Sequence, residues 1–535
     1  MSTEPSYQRI TADFKAAFES RIPTELLLSD LPKDVSNLVS TSGLLDPAEV
    51  DIVQMDATGL RDALASRQVS AVAVTTAFLK AAGIAHGATN CLMDYFPEEA
   101  LETARYLDAE MERTGKPVGP MHGVPISIKD QMCVKGREIT ASFASWVGKN
   151  VPEKDGVFVR ILREAGAVFY VKTSIPQAIM HLETDSFLGP TLNPYNRELT
   201  SGGSSGGEGA LIGCRGSPMG LGTDIGGSIR NPAALNGIYG FKPTATRLPK
   251  GGNRAPMAGQ ESIPAAIGPL ARSARDLSLC IETVLAAEPW HLDPTQVGMK
   301  WRPDEVVWKG GDKPKIGVMW DDGVVVPQAP MRKALKLAVE KLRAEGYEVF
   351  DYRPFKQSEG WDIITSLYFT DGGQTIRNAI EASGEPMLPL TKWILEQNQR
   401  DRPALELFQL IQRREAFKAE YNAHFAASGV DVILCLPGPG PAPILGTSKY
   451  WCYTSIFNLV DYPAGVLPTG TFVGLEDVRE PEREFLSEQD REVWAAYSPE
   501  KMIGAPLALQ VVAGRWEDEK ALLALQMIDQ VLLGK

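Results

Sequence analysis

Apolar and polar positions along the chain follow two periods. Residues 7–20 and 25–39 read as short helices. From 58 to 85 apolar residues recur at helical spacing, behind DATGLRDAL, which offers a capping Asp or Thr. PEEALETARYLDAEMERTG, beginning at Pro97, predicts a helix with acids in its first turn and a glycine after its last. The period then changes. GVPISIKD, from Gly123, predicts a short strand with Val124, Ile126 and Ile128 on one face and Ser127 and Lys129 on the other. DGVFVRILREAGAVFYVKTSIP, from Asp155, reads as helix, glycine turn and strand, and residues 313–355 run strand, helix, strand. DVILCLP at Asp431 and APLALQVVAG at Ala505 predict further buried strands, and ALLALQMIDQVLL a closing helix. Helices alternating with short apolar strands predict an α/β fold around a parallel or mixed sheet, with a helix-rich stretch over about 310–430 expected as a semi-independent cap that shapes the substrate pocket.

Composition narrows the class. Apolar residues make up 44% and charged residues 23% of 535, a balance that can bury a large core. The formal net charge of −13, with no run of Lys and Arg, argues against nucleic acid as a partner. The first twenty residues carry acids and lack a basic start with an apolar core, so no secretory signal is expected. No apolar run of the length of a membrane span is seen. Six scattered cysteines without a CxxC predict reduced thiols and a cytoplasmic protein. Cys133, close after Lys129, reads as packing.

One stretch departs from ordinary patterning. Between Ser201 and Ser228 eleven residues are glycine and five are serine. Glycine in ordered structure costs roughly 0.5–1 kcal/mol each relative to alanine. A flexible linker would not carry ALIG or PMGLGTDIGG. A phosphate loop would need GxxxxGK[ST] or GxGxxG, and neither is present here. Gly202-x-Ser204-x-Gly206 and Gly203-x-Ser205-x-Gly207 match a nucleophile elbow, but polar NPYNRELT precedes them where an elbow needs a strand. An elbow also needs a histidine. Of five, only His181, His291 and His424 lie away from evident helix faces or turns, and none in a catalytic-looking loop. Serine also becomes nucleophilic beside a neutral lysine, and burial lowers a lysine's pKa. Lys129, ending an apolar strand, is the candidate. Ser498-x-x-Lys501 also matches a serine–lysine spacing but lies in a polar, acidic segment and reads as chance.

GVPISIKD, then SGGSSGGEGALIG and GLGTDIGGSIRNPAALNGIYGFKPT, with Ser228 placed 99 positions after Lys129, closely resemble the amidase signature family. KTSIPQAIMHLETDSFLGPTLNPYN is most similar to its fungal-type acetamidases and general amidases, and secondarily to fatty acid amide hydrolases. The resemblance implies the amidase signature fold, a large mixed sheet with helices on both faces, over 58–535, after a helical N-terminal arm at 1–57. It implies a Ser-cisSer-Lys triad: Ser228 as nucleophile, Ser204 as bridging serine in a cis peptide, and Lys129 as base. It places the oxyanion hole on the amides of Ile225, Gly226, Gly227 and Ser228, and Ile179 in the substrate pocket. Asp224 and Arg230 read as supports of the nucleophile loop, and Ser205 as orienting Lys129 or Ser204. The implied partner is a small-molecule amide, small or broad in range, with no metal or cofactor; a homodimer is expected on resemblance alone. Fatty-acyl amides, carbamates and lactams are alternative substrates of the same triad. A tRNA amidotransferase subunit and a catalytically silent binding protein are alternative functions. Trp361, Tyr368, Phe369, Trp393, Trp451 and Phe457 are either an aromatic pocket lining or core.

Overall fold

The computed structural model describes residues 6–398 and 400–534. Its centre is an eleven-stranded mixed sheet. From one edge to the other the strands are Leu92–Tyr95, Val168–Thr173, Pro125–Lys129, Met219–Asp224, Ala266–Ala271, Tyr239–Lys242, Ala464–Phe472, Pro506–Ala513, Val432–Cys435, Ile316–Met319 and Val349–Asp351. Pro125–Lys129 runs parallel to both of its neighbours, as does Ile316–Met319, while the middle of the sheet is antiparallel. Both faces are covered. In the strand Val432–Cys435, Val432 and Leu434 enter the larger apolar cluster, while Ile433 and Cys435 enter a second one. A strand buried on both faces reads as a continuous apolar run, which is why VILC was visible in the sequence.

Several elements match the sequence pattern closely. The helix Pro97–Thr114 ends at Gly115 in the left-handed conformation, and Asp56 caps the helix Ala57–Ala65 by accepting from the Gly59 amide at 2.8 Å. Ser127 and Lys129 share a face, both turned toward the helix Gly206–Gly213 and the turn before it.

Other expectations are corrected. The stretch 25–39 forms only a 3-10 turn at Thr24–Leu26 and one helical turn at Leu38–Thr41, with Pro32 interrupting it. The pattern over 58–85 divides at Arg67, whose φ is +60°, into the helices Ala57–Ala65 and Ala71–Thr89. Ala71–Thr89 is the one helix among the described residues long and apolar enough to cross a membrane by composition, and it is mostly buried in the core. The strands Met219–Asp224, Tyr239–Lys242, Ala266–Ala271 and Ala464–Phe472 were not evident, because glycine and proline interrupt their apolar alternation. Gly220 has a packing reason: a Cβ there would lie 1.8 Å from a Glu208 carboxylate oxygen and 2.5 Å from Ser127 Oγ. The stretch 310–430 is helix-rich, yet its two strands, Ile316–Met319 and Val349–Asp351, complete one edge of the central sheet. Residues 1–5 of the expected N-terminal arm lie outside the described residues.

Candidate active site

The parallel strands Pro125–Lys129 and Met219–Asp224 pair Ser127 with Gly220 and Ile128 with Leu221, so both end on the same side of the sheet. Open sheets place ligands beyond such carboxyl ends. Lys129 is fully buried there. Its Nζ lies 2.8 Å from Ser204 Oγ and 2.9 Å from Thr223 Oγ1. Thr223 in turn donates to Gln131 Oε1 at 3.3 Å. Ser204 follows the cis Gly203–Ser204 peptide and is 1% exposed. Burial pulls the Lys129 ammonium down to about 7, with the nearby carboxylates of Asp224 and Glu208 resisting the shift. Glu208, also buried, is pushed up to about 8, partly held back by hydrogen bonds from Ser127 and Thr173. A neutral amine is therefore accessible near neutral pH.

Ser228 sits in the loop that follows Asp224, and its own hydroxyl makes no hydrogen bond among the described residues. Its carbonyl accepts from the Ser205 amide at 3.2 Å, which ties the loop to the residue after Ser204. Asp224 holds the loop from beneath. It accepts from the amides of Gly227 at 2.8 Å and Ile229 at 3.1 Å, and from the Arg230 guanidinium at 3.0 Å through each oxygen. Arg230 is also fully buried and donates to Thr454 O, Gln510 Oε1 and Asn458 Oδ1. Burial alone would push the Asp224 carboxyl up; Arg230 overrides this and leaves it well below the usual range. The carboxylate is thus ionised and fully ligated, which fits a scaffold role.

The expected four-amide cluster differs in one member. The Gly227 amide is engaged by Asp224, while the amides of Ile225, Gly226 and Ser228 have no acceptor among the described residues. Ser205 bonds neither Lys129 nor Ser204; its hydroxyl reaches Thr223 O at 3.5 Å. Ile179 has a φ of +67°, rare for a β-branched residue, and packs in the second apolar cluster with Tyr368 and Trp451. The reading of the histidines is also corrected. His424 lies on the helix Ala404–Ser428 and His291 in a short 3-10 turn. His181 lies against the serine loop: a Cβ on Gly203 would sit 2.6 Å from its carbonyl oxygen. Burial lowers its pKa to about 3, against the pull of the Glu183 backbone, so the ring stays neutral. Sequence reasoning missed Thr223, Gln131, Asn231, Thr454 and Asn458. Only Thr223 carried a signal, standing beside Asp224 at a strand end.

A cavity of about 600 Å³ adjoins these loops. Three of its lining residues touch them. Asn231 donates to Gly227 O at 2.7 Å and accepts from the Gly203 amide at 3.3 Å. Leu182 lies behind Gly203, and the Trp451 indole lies beside Gly226. Trp361, Trp393 and Tyr450 continue the wall, with the Trp361 and Trp451 rings 4.6 Å apart. Of the six aromatic candidates, the three tryptophans line the cavity; Tyr368, Phe369 and Phe457 are wholly buried.

Comparison with known proteins finds relatives in sequence and in fold. The amidase family model matches residues 73–522. The chain is 37% identical to an acetamidase of Aspergillus oryzae over 98% of this chain and 99% of that one. It is 38% identical to an acetamidase of Emericella nidulans, covering 98% of each. Among solved structures, a fatty acid amide hydrolase superposes with a TM-score of 0.92 at 35% identity, over 98% of this chain and 94% of that one.

Proposed function

The chain belongs to the amidase family, and from that membership we propose that it hydrolyses a carboxylic amide to a carboxylate plus ammonia or an amine through an acyl-enzyme on Ser228. The observation that carries this reading is the buried 2.8 Å contact between Lys129 Nζ and Ser204 Oγ beside a loop of unengaged amides. Neutral Lys129 takes the Ser204 proton as Ser204 takes that of Ser228, whose Oγ attacks the amide carbon. Nucleophile–base hydrogen bonds are often long without substrate and tighten when it binds. The tetrahedral oxyanion rests on the amides of Ile225, Gly226 and Ser228, each such donor contributing on the order of 3 kcal/mol. The relay then returns its proton to the departing nitrogen and the C–N bond breaks. Water adds to the acyl-enzyme and gives its proton to the same relay, which passes it to Ser228 Oγ as the acyl C–O bond breaks; the acid released ionises to the carboxylate and Ser228 is restored.

The relatives named acetamidase support a small amide, and the 600 Å³ cavity supports a range extending well beyond acetamide. A cytoplasmic location suits six buried free thiols; a homodimer rests on the family resemblance. The test is ammonia or amine release from acetamide, benzamide and a long-chain acyl amide, with Ser228→Ala as the blank. Turnover of at least one amide, reduced to a few per cent or less in the variant, is expected. Equal turnover by a folded variant would reject Ser228.

A further inference from the structure

The loop around Ser228 is held by its carbonyls. Asp224 O accepts from Asn458 Nδ2 at 3.4 Å, Ile225 O from the Tyr368 hydroxyl at 3.2 Å and Gly226 O from Thr454 Oγ1 at 2.7 Å. Gly227 O accepts from the Asn231 amide at 2.7 Å and Ser228 O from the Ser205 amide at 3.2 Å. The loop's peptide bonds are trans, since Gly203–Ser204 is the one cis bond among the described residues. In a planar trans peptide each N–H points opposite to the preceding C=O. Pinning a carbonyl therefore aims the next amide. Tyr368 aims the Gly226 N–H away from itself, and Asn458 and Asn231 do the same for Ile225 and Ser228. Thr454 fixes the plane between, sending the Gly227 N–H to Asp224. Thr454 has a second carbonyl within reach, Trp451 O at 3.1 Å, and its single proton goes to the nearer Gly226 O.

We propose that Tyr368 and Thr454 are positioning residues for the oxyanion hole, Tyr368 by aiming the Gly226 amide into it and Thr454 by holding the next peptide plane, with its N–H on Asp224, so that the loop keeps the shape that presents the hole. This rests on reading Ser228 as the nucleophile. Both side chains are buried, Tyr368 at 0% and Thr454 at 1% exposure, so each hydroxyl depends on its protein acceptor. The glycines of the loop are matched to them. A Cβ on Gly226 would lie 2.7 Å from the Tyr368 hydroxyl, and one on Gly227 would lie 2.3 Å from Thr454 Oγ1. Gly227 also has a φ of +136°. The two donors fill the space that side chains would otherwise take. They come from the helices Gln357–Tyr368 and Cys452–Leu459, far from the serine-glycine stretch in sequence.

The experiment is the second-order rate at which a fluorophosphonate labels Ser228, since its phosphoryl oxygen needs the same amides as the oxyanion. Tyr368→Phe and Thr454→Val should each slow labelling by about tenfold or more. Thr454→Ser, which keeps the hydroxyl, should label within threefold of wild type. With an amide substrate, kcat should fall while KM stays within about threefold, a split that loss of packing would not produce. Tyr368→Phe keeps the ring, so it decides the matter if Thr454→Val does not fold. Should Tyr368→Phe keep the wild-type circular dichroism and melting midpoint and label at the wild-type rate, the inference is overturned. Labelling is read without amide turnover, so an inactive wild type that still labels counts against amide hydrolysis and leaves this comparison intact.

Discussion

At the scale of single residues, Lys129 is the informative case. As the proposed base it must be uncharged, and burial brings its pKa to about 7. The protonated form cannot accept a proton, so activity belongs to the population above that value. The pH profile of kcat/KM should therefore rise through an inflection near 7 and level off above it. Lys129→Met should flatten the profile at a rate lower by at least a hundredfold. A wild-type profile unchanged from pH 5.5 to 9 would exclude Lys129 as the base. The strand-end placement of Lys129 was legible from alternation in GVPISIKD. Its neighbours were not. Thr223 reaches it because two parallel strands end together, and Gln131 accepts from Thr223 in turn; the strand end at Asp224 hinted at Thr223, but spacing along the chain does not show the pairing that brings it to Lys129.

Elements carry a different kind of information. The strand Met219–Asp224, the following loop and the helix Arg230–Leu235 form one unit, closed by the buried pair of Asp224 and Arg230. Asp224→Ala would leave a buried guanidinium without its counter-ion and two loop amides without an acceptor. Breaking such a pair costs about 3–5 kcal/mol. The variant should unfold at a lower urea midpoint with an unchanged slope, and should lose amidase activity even where it is folded. A midpoint equal to wild type would mean that Asn458 and Gln510 hold Arg230 unaided. Elements with clean alternation, such as Val432–Cys435, were readable as strands, and Pro97–Thr114 as a helix with both its ends. Met219–Asp224 was not. Gly220 lets Glu208 and Ser127 come close and Gly222 does the same for Ser205 and Leu270, and that demand of packing removed the apolar signal by which strands are recognised.

The whole molecule sets the shape of the substrate space, and here the sequence was least explicit. Residues 310–430 are rich in helices as expected, but they also supply the sheet edge and two of the tryptophans facing the cavity. The cavity gathers Leu182, Asn231, Met331, Trp361, Trp451 and Val493, which lie on segments that meet only in the folded chain. Its lining sets three tryptophans and other apolar side chains beside polar ones such as Asn231, Gln328 and Glu492. A phenyl group burying on the order of 100 Å² of apolar surface at about 25 cal/mol per Å² gains roughly 2.5 kcal/mol. If that binding is realised in the transition state, kcat/KM rises by well over tenfold. Phenylacetamide enlarges the acyl side and acetanilide the amine side, so comparing each with acetamide identifies which side faces the cavity. One of them should exceed acetamide at least tenfold in kcat/KM. Val493→Phe, which adds a ring to the cavity lining, should lower that ratio by about tenfold, because the added ring occupies space the substrate's own ring needs. If neither compound exceeds acetamide by more than threefold, the cavity does not hold the substrate and the enzyme's range ends with small amides.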